Sequence, residues 1–341
     1  MDGADDLLQS EGWERFQRAL GRKTERVGGV LAIRMPLPFG WQYLYSPRSS
    51  FPRHPEVTPR DLTQALQRLT KGTSAIFWRA EFPSGIGDLK FQISNPRVVR
   101  RALEPEWTWR TSLDGTDDAL LARMHEKHRY NVRLAERKGV TVRAVSFFSS
   151  SRVEPQRNRE ISDRPEISLL RSPSAYFGRN DERWEEFDAL WRLLQETARR
   201  QGISTHQRTY YETMVRTLSD TNAYVAEHLG TPIACAIVAY DGDTATYLHG
   251  GSSYEHRALM APHLLHWHAM REARNAGMRW YDWGGIEPPA SSFQLPASSW
   301  QGLTRFKQGF GGEAVHHPPM RDLLFRPRTY RMLSWLARVR S

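Results

Sequence analysis

The stretch GLTRFKQGFGG, from Gly302 to Gly312, gathers two aromatics, an Arg, a Lys and four glycines. Arg305 and Lys307 can only donate hydrogen bonds, to anions or to carbonyl oxygens. Glycine lets the backbone turn through positive φ or come close to another group. Together these residues suit a place that holds an oxygen-rich, negatively polarised group. Asp282, in the run RWYDWGG, is a second candidate, because a carboxylate ending a buried strand is costly unless it is paired. It reads as a catalytic base or as a hydrogen-bond anchor for the glycine turn that follows.

Other chemistries lack their residues. There is no G-x-S-x-G elbow and no H-E-x-x-H. His263, His266 and His268 lie close in sequence, but no carboxylate or Cys completes a ligand set, so no metal site is expected. Arg129, Arg133 and Arg137 recur at i, i+4 and i+8 in DDALLARMHEKHRYNVRLAERKG, which reads as one helix. Their stripe is a phosphate-binding face or an ordinary solvated one. Tyr247 and His249 in YLHGG alternate to one strand face, toward the expected cleft. The C-terminal RPRTYRMLSWLARVRS is amphipathic and basic, so it closes the fold or lies on an anionic membrane.

These candidates need elements to position them. A chain of 341 residues exceeds the roughly 250–300 at which one core usually divides, so two domains are expected. The formal charge of +10 favours polyanionic partners: nucleic acid, anionic lipid or a phosphorylated substrate. Cys235 is the single cysteine, which excludes an intrachain disulfide and points to a reducing cytoplasm. The N-terminus is acidic where a signal peptide is basic, and no apolar run approaches the ~18 residues of a membrane span. Membrane contact is therefore expected to be peripheral at most. Ser10 and Gly21 bracket a first helix, VGGVLAIRM and WQYLYSP read as strands, Thr58 and Gly72 bracket a second helix, and TSAIFWRAEF is a strand. A similar order returns after the helix DERWEEFDALWRLLQETARRQG: three strands in AYVAEHLGTPIACAIVAYDGDTATYLHGG, a helix to Gly277, and the strand RWYDWGG. The class expected is α/β (α+β) with a duplicated module. Between the halves, the Ser, Arg and Pro-rich run within 146–180 reads as a mobile insertion.

Hairpin strands, then helix, then strand resemble the GNAT acyltransferase fold. The segment GGSSYEHRALMAPHLL, however, lacks a glycine after Gly251, and Pro262 removes an N–H donor, so a CoA pyrophosphate cradle is poorly supported. LLQSEGWERFQRALG, MHEKHRYNVRLAERKGV, YLHGGSS, APHLLHWHAMREARNAGMRWYDWGG and GLTRFKQGFGG, in that order, resemble the landmarks of the FemABX family, which moves amino acids from aminoacyl-tRNA onto an amine of the peptidoglycan stem peptide. The resemblance implies two tandem GNAT-like domains, mixed sheets flanked by helices, without the coiled-coil arm of some members. The first spans 1–145, joined by the tail 318–341, and the second 181–317. It further implies that Phe306 and Lys307 lie at the transfer site, where the ammonium holds the tRNA 3′ end or stabilises an oxyanion. Arg208, Tyr211, Tyr247, His249 and Arg305 become candidates for substrate binding, although His249 stands where relatives tend to show Tyr. No cofactor is implied beyond aminoacyl-tRNA as co-substrate, and the partners are a nucleotide- or lipid-linked precursor and the inner membrane face. Two other readings stay open: an N-acyltransferase using acyl-CoA or a carrier thioester, and a non-catalytic RNA- or lipid-binding module.

Overall fold

The computed structural model describes residues 6–49, 74–81, 97–98, 103–145, 147, 180–218, 220–289 and 300–339. Ser10 caps the first helix: its hydroxyl accepts from the Trp13 N–H at 3.1 Å and opens α1 (Glu11–Ala19). The run VGGVLAIRM, which reads as one strand, divides into a hairpin. Gly28 and Gly29, with φ of 57° and 79°, make the turn between β1 (Thr24–Val27) and β2 (Val30–Pro36), since two successive positive φ values favour glycine. Then come β3 (Gln42–Ser46), β4 (Ala75–Glu81), β5 (Arg97–Val98) and β6 (Trp107–Ser112).

The next segment, read as one long helix, breaks in two. Met124 is extended and His125 begins a new turn, its Nδ1 accepting from the Lys127 N–H at 3.2 Å, so α2 (Asp117–Arg123) is distinct from α3 (Glu126–Arg137). The chain continues through β7 (Thr141–Val145), α4 (Asn180–Gln201), α5 (Arg208–Thr217), β8 (Thr221–His228), β9 (Thr231–Asp241) and β10 (Thr244–Ser252). It ends with α6 (Ala261–Asn275), β11 (Trp280–Gly285), α7 (Gln301–Gln308), β12 (Glu313–His316), β13 (Met320–Leu324) and α8 (Pro327–Val339).

Two mixed sheets result, ordered β1-β2-β3-β4-β13-β5 and β12-β6-β11-β10-β9-β8-β7. Each contains one parallel pair, β3–β4 in the first and β10–β11 in the second, among antiparallel neighbours. Among the described residues the strands of the expected repeat recur, a hairpin whose last strand pairs in parallel with the strand after the crossover, in both sheets. In the second sheet α6 makes the crossover; the corresponding helix, expected over 58–72, lies outside the described residues. So does the insertion expected at 146–180, apart from residues 147 and 180. Among the described residues no helical pair forms a coiled-coil arm, and no helix is long and apolar enough to cross a membrane.

The domain boundary expected at 145 is corrected. β6 pairs with β11 and β12, and β7 pairs with β8, so the segment 107–145 belongs to the second sheet although it precedes that boundary. Local periodicity marks a strand but not its partner, which long-range burial selects. The tail goes to the first sheet, where β13 pairs with β4 and β5. The two sheets share a core. Phe16 of α1 and Leu31 and Ile33 of β2 meet Phe187 and Leu190 of α4, Met214 of α5 and Ile237 of β9 in one buried cluster. On its other face the second sheet buries Val132 of α3, Leu265 and Met270 of α6, Trp283 of β11 and Phe310.

Candidate active site

Parallel pairing between β10 and β11 runs from Thr244 opposite Trp280 to Thr246 opposite Asp282 and stops there, although both strands continue. At the same point the register between β11 and β6 shifts, between Asp282 and Gly285. The strands part, and the opening is a cavity of about 710 Å³ lined by β10, the end of β11, the first turn of α6, the end of α4 and α7.

Lys307 reaches this cavity from α7 while only 5% exposed. Its Nζ donates to the Gly285 carbonyl oxygen at 2.6 Å, which fixes the ammonium against the end of β11. Burial lowers its pKa to about 8, opposed by the charge of Asp282. Asp282 in turn accepts from the Gly284 N–H at 2.6 Å and does not line the cavity. Burial raises its pKa, and the Gly284 N–H and then Arg48 and Lys307 oppose the rise. Of its two readings, the geometry is that of the turn anchor.

Three of the four glycines of the opening stretch, Gly309, Gly311 and Gly312, have a packing reason, while a Cβ on Gly302 would meet open space. A Cβ on Gly309 would lie 2.0 Å from the His128 ring, so only glycine lets α7 end against α3. His128 Nε2 donates to the Phe306 carbonyl oxygen at 2.9 Å, and the His125 N–H donates to the Gly309 carbonyl at 2.8 Å. Trp109 Nε1 and the Thr111 hydroxyl both donate to the Gly311 carbonyl, at 2.9 and 2.7 Å. These bonds clamp the end of α7 between α3 and β6 and thereby aim Phe306 and Lys307.

The cavity wall is aromatic. The rings of Tyr247 and His266 lie 4.7 Å apart, His266 and Trp283 4.8 Å, and Phe306 and His263 5.2 Å. On the opposite side His249 meets Tyr211 at 4.9 Å, and His206 stacks on Tyr210 at 3.9 Å. Burial pushes His249, His263 and His266 down to about 3, so these imidazoles are neutral. Among the described residues no three His, Cys, Asp or Glu side chains are arranged to hold a metal ion.

Lys307, Phe306, Tyr211, Tyr247 and His249 therefore share one cavity. Tyr247 and His249 do so without the strict alternation expected of them: a bulge between them in the β9–β10 register sends Tyr247 toward His266 and His249 toward Tyr211. Arg208 and Arg305 are not in the cavity lining. Arg208 is paired with Asp188 at 2.6 Å and Glu212 at 2.7 Å, and Arg305 is exposed on α7, away from Lys307. The arginine stripe also divides. Arg129 donates to the carbonyls of Ala122, at 3.4 Å, and Met124, and so caps the end of α2, while Arg133 and Arg137 are exposed. Arg129→Ala is accordingly expected to destabilise the fold by about 1–2 kcal/mol, and Arg133→Ala to change it little, as measured by denaturant unfolding. Equal losses from the two would refute the capping role. His128, His206, His266 and Trp283 escape a reading of spacing alone, because their partners come from other elements.

A sequence model of the FemAB family matches residues 95–226 and 225–338. Lipid II:glycine glycyltransferase of Staphylococcus aureus is 26% identical over 244 residues, covering 61% of this chain and 56% of that protein. The chain thus spans little more than half the length of the curated relatives it matches. Among solved structures, that of FemX is similar in fold with a TM-score of 0.66 at 17% identity, covering 96% of this chain and 94% of that one. L-PGS from Bacillus licheniformis is similar with a TM-score of 0.54 at 14% identity, covering 95% and 90%. The family match runs through β6, α3, β10, β11 and α7, the elements that build the cavity and its clamp, and this chain belongs to the FemAB family.

Proposed function

We propose that the chain is an aminoacyltransferase that moves an amino acid from aminoacyl-tRNA onto an amine of a peptidoglycan precursor. The observation that carries this reading is the buried Lys307 ammonium, held on Gly285 at the point where β10 and β11 part. A lysine has three N–H donors, and Gly285 takes one. The others are free to meet the oxyanion that forms when the amine nitrogen attacks the ester carbonyl carbon. The new C–N bond then replaces the C–O bond to the ribose, whose oxygen takes up the proton that the amine gives up. Such an ester is already activated, so alignment and one well-placed donor supply most of what is needed; a single oxyanion donor contributes about 3 kcal/mol.

The neutral histidines are too weak as bases to take that proton near pH 7, so they serve as an aromatic, hydrogen-bonding wall. Tyr211, Tyr247 and His249 would contact the acceptor peptide or the aminoacyl group. Exposed Arg133 and Arg137, with Arg137 5.7 Å from the Tyr130 ring, suit tRNA phosphates. The lipid II named for the staphylococcal relative supports a lipid-linked acceptor. The test is transfer of radiolabelled amino acid from charged tRNA to lipid- and nucleotide-linked precursors, with and without ribonuclease. Ribonuclease-sensitive labelling of a precursor is expected; labelling that survives ribonuclease would remove tRNA as the donor, and no labelling of either precursor would remove the acceptor.

A further inference from the structure

The face of the first sheet around β4 and β13 carries an apolar and basic surface that the transfer cavity does not use. Ile76, Phe77 and Leu324 form a small buried cluster there. Tyr330 and Leu333 of α8 pack on it, and so do Leu37 and Trp41, which flank the turn Pro38–Gly40. Tyr330 is anchored further, its hydroxyl donating to Asp322 at 2.8 Å and its ring meeting Phe77 edge-on at 5.2 Å. With that side of the helix held, Arg328, Arg331, Met332 and Trp335 face outward. Trp335 is 62% exposed and Met332 45%.

Phe39, at the tip of the neighbouring turn, is 72% exposed and sits in the left-handed region with φ of 64°. A bulky residue is uncommon there, and a ring 72% exposed gains little packing against the described residues in return. Between Pro327 and Val339 the helix has no acidic residue, and its arginines flank the exposed aromatic and sulfur side chains. A second copy of this face is a poor partner, because an isologous contact would bring the same uncompensated arginines together. An anionic bilayer matches both halves of the surface: Trp, Phe and Met enter the interface, and Arg meets lipid phosphate.

We propose that Phe39, Met332 and Trp335, with Arg328 and Arg331, form a docking surface for an anionic lipid bilayer. The inference does not rest on the transferase reading, since lipid binding is measured without turnover. Full-length protein is sedimented with vesicles of phosphatidylcholine alone and of phosphatidylcholine mixed with an equal part of phosphatidylglycerol. Binding is expected to the mixed vesicles and not to the neutral ones. Arg328→Gln with Arg331→Gln is expected to weaken it at least about tenfold, each cation near an anionic surface contributing about fivefold. Phe39→Asn with Trp335→Ser is expected to abolish sedimentation with an unchanged or higher melting temperature, because Asn tolerates the left-handed conformation. Wild-type protein that stays in the supernatant would overturn the proposal, as would a Phe39→Asn/Trp335→Ser variant that still sediments. A dimer in analytical ultracentrifugation that this double variant dissolves, without vesicle binding, would give the surface to a second copy instead.

Discussion

Lys307→Met is expected to lower kcat for amino-acid transfer by roughly 10²–10³ while leaving precursor affinity nearly unchanged. The ammonium is fixed by Gly285 before any substrate arrives, so its attraction for an oxyanion is present at the moment charge develops and adds little to ground-state binding. Should the variant instead raise KM for aminoacyl-tRNA at constant kcat, Lys307 holds the tRNA end rather than the oxyanion. Arg305→Met is the matched control; Arg305 is exposed and outside the cavity lining, so less than about a tenfold change is expected. The pH dependence has a definite sign. The protonated form is the active one and burial holds the pKa at about 8, so the rate falls as pH rises through that value, below the ordinary lysine range. Lys307→Arg, whose guanidinium stays charged, should lose this limb. A rate that is flat through pH 8 in the wild type, or a Met variant as fast as the wild type, would remove Lys307 from the chemistry.

Gly309→Ala is expected to destabilise the fold by about 1–3 kcal/mol and to cost activity as well, although position 309 is not in the cavity lining. The added Cβ would fall 2.0 Å from the His128 ring, and His128 is what holds the Phe306 carbonyl. Either α7 moves away from α3, taking Lys307 with it, or the His128 bond breaks. The second substitution His128→Ala makes room for the methyl group, so the double variant should be more stable than the sum of the two single losses. Thermal or denaturant unfolding of the four proteins measures the coupling. Strict additivity would show that Gly309 is needed for some reason other than the ring.

Much of the second sheet is legible in one dimension. The turns at Gly230 and Gly242 separate three strands, Pro262 opens α6 and Gly277 closes it, and each rests on chemistry within a few residues. The density of cations, rings and glycines in Gly302–Gly312 likewise singles out a stretch whose Phe306 and Lys307 line the cavity. What local pattern misreads is the Gly28–Gly29 hairpin and the break at Met124, where a turn or cap competes with a continuous run.

Other features exist only once distant segments meet. The assignment of β6 and β7 to the second sheet, the parting of β10 and β11 at Asp282, and the bulge between Tyr247 and His249 all depend on strand partners far away in sequence. The roles of charged residues depend on the same contacts. Arg129 and Arg133 are equivalent on a helical wheel, but the end of α2 lies beside one and solvent beside the other. Lys307 and Arg305 are equivalent as donors in the sequence, and the clamp on α7 turns one toward Gly285 and leaves the other in water. Residue type alone offered two donors on one short helix; burial, which no local window records, decided which of them reaches the cavity.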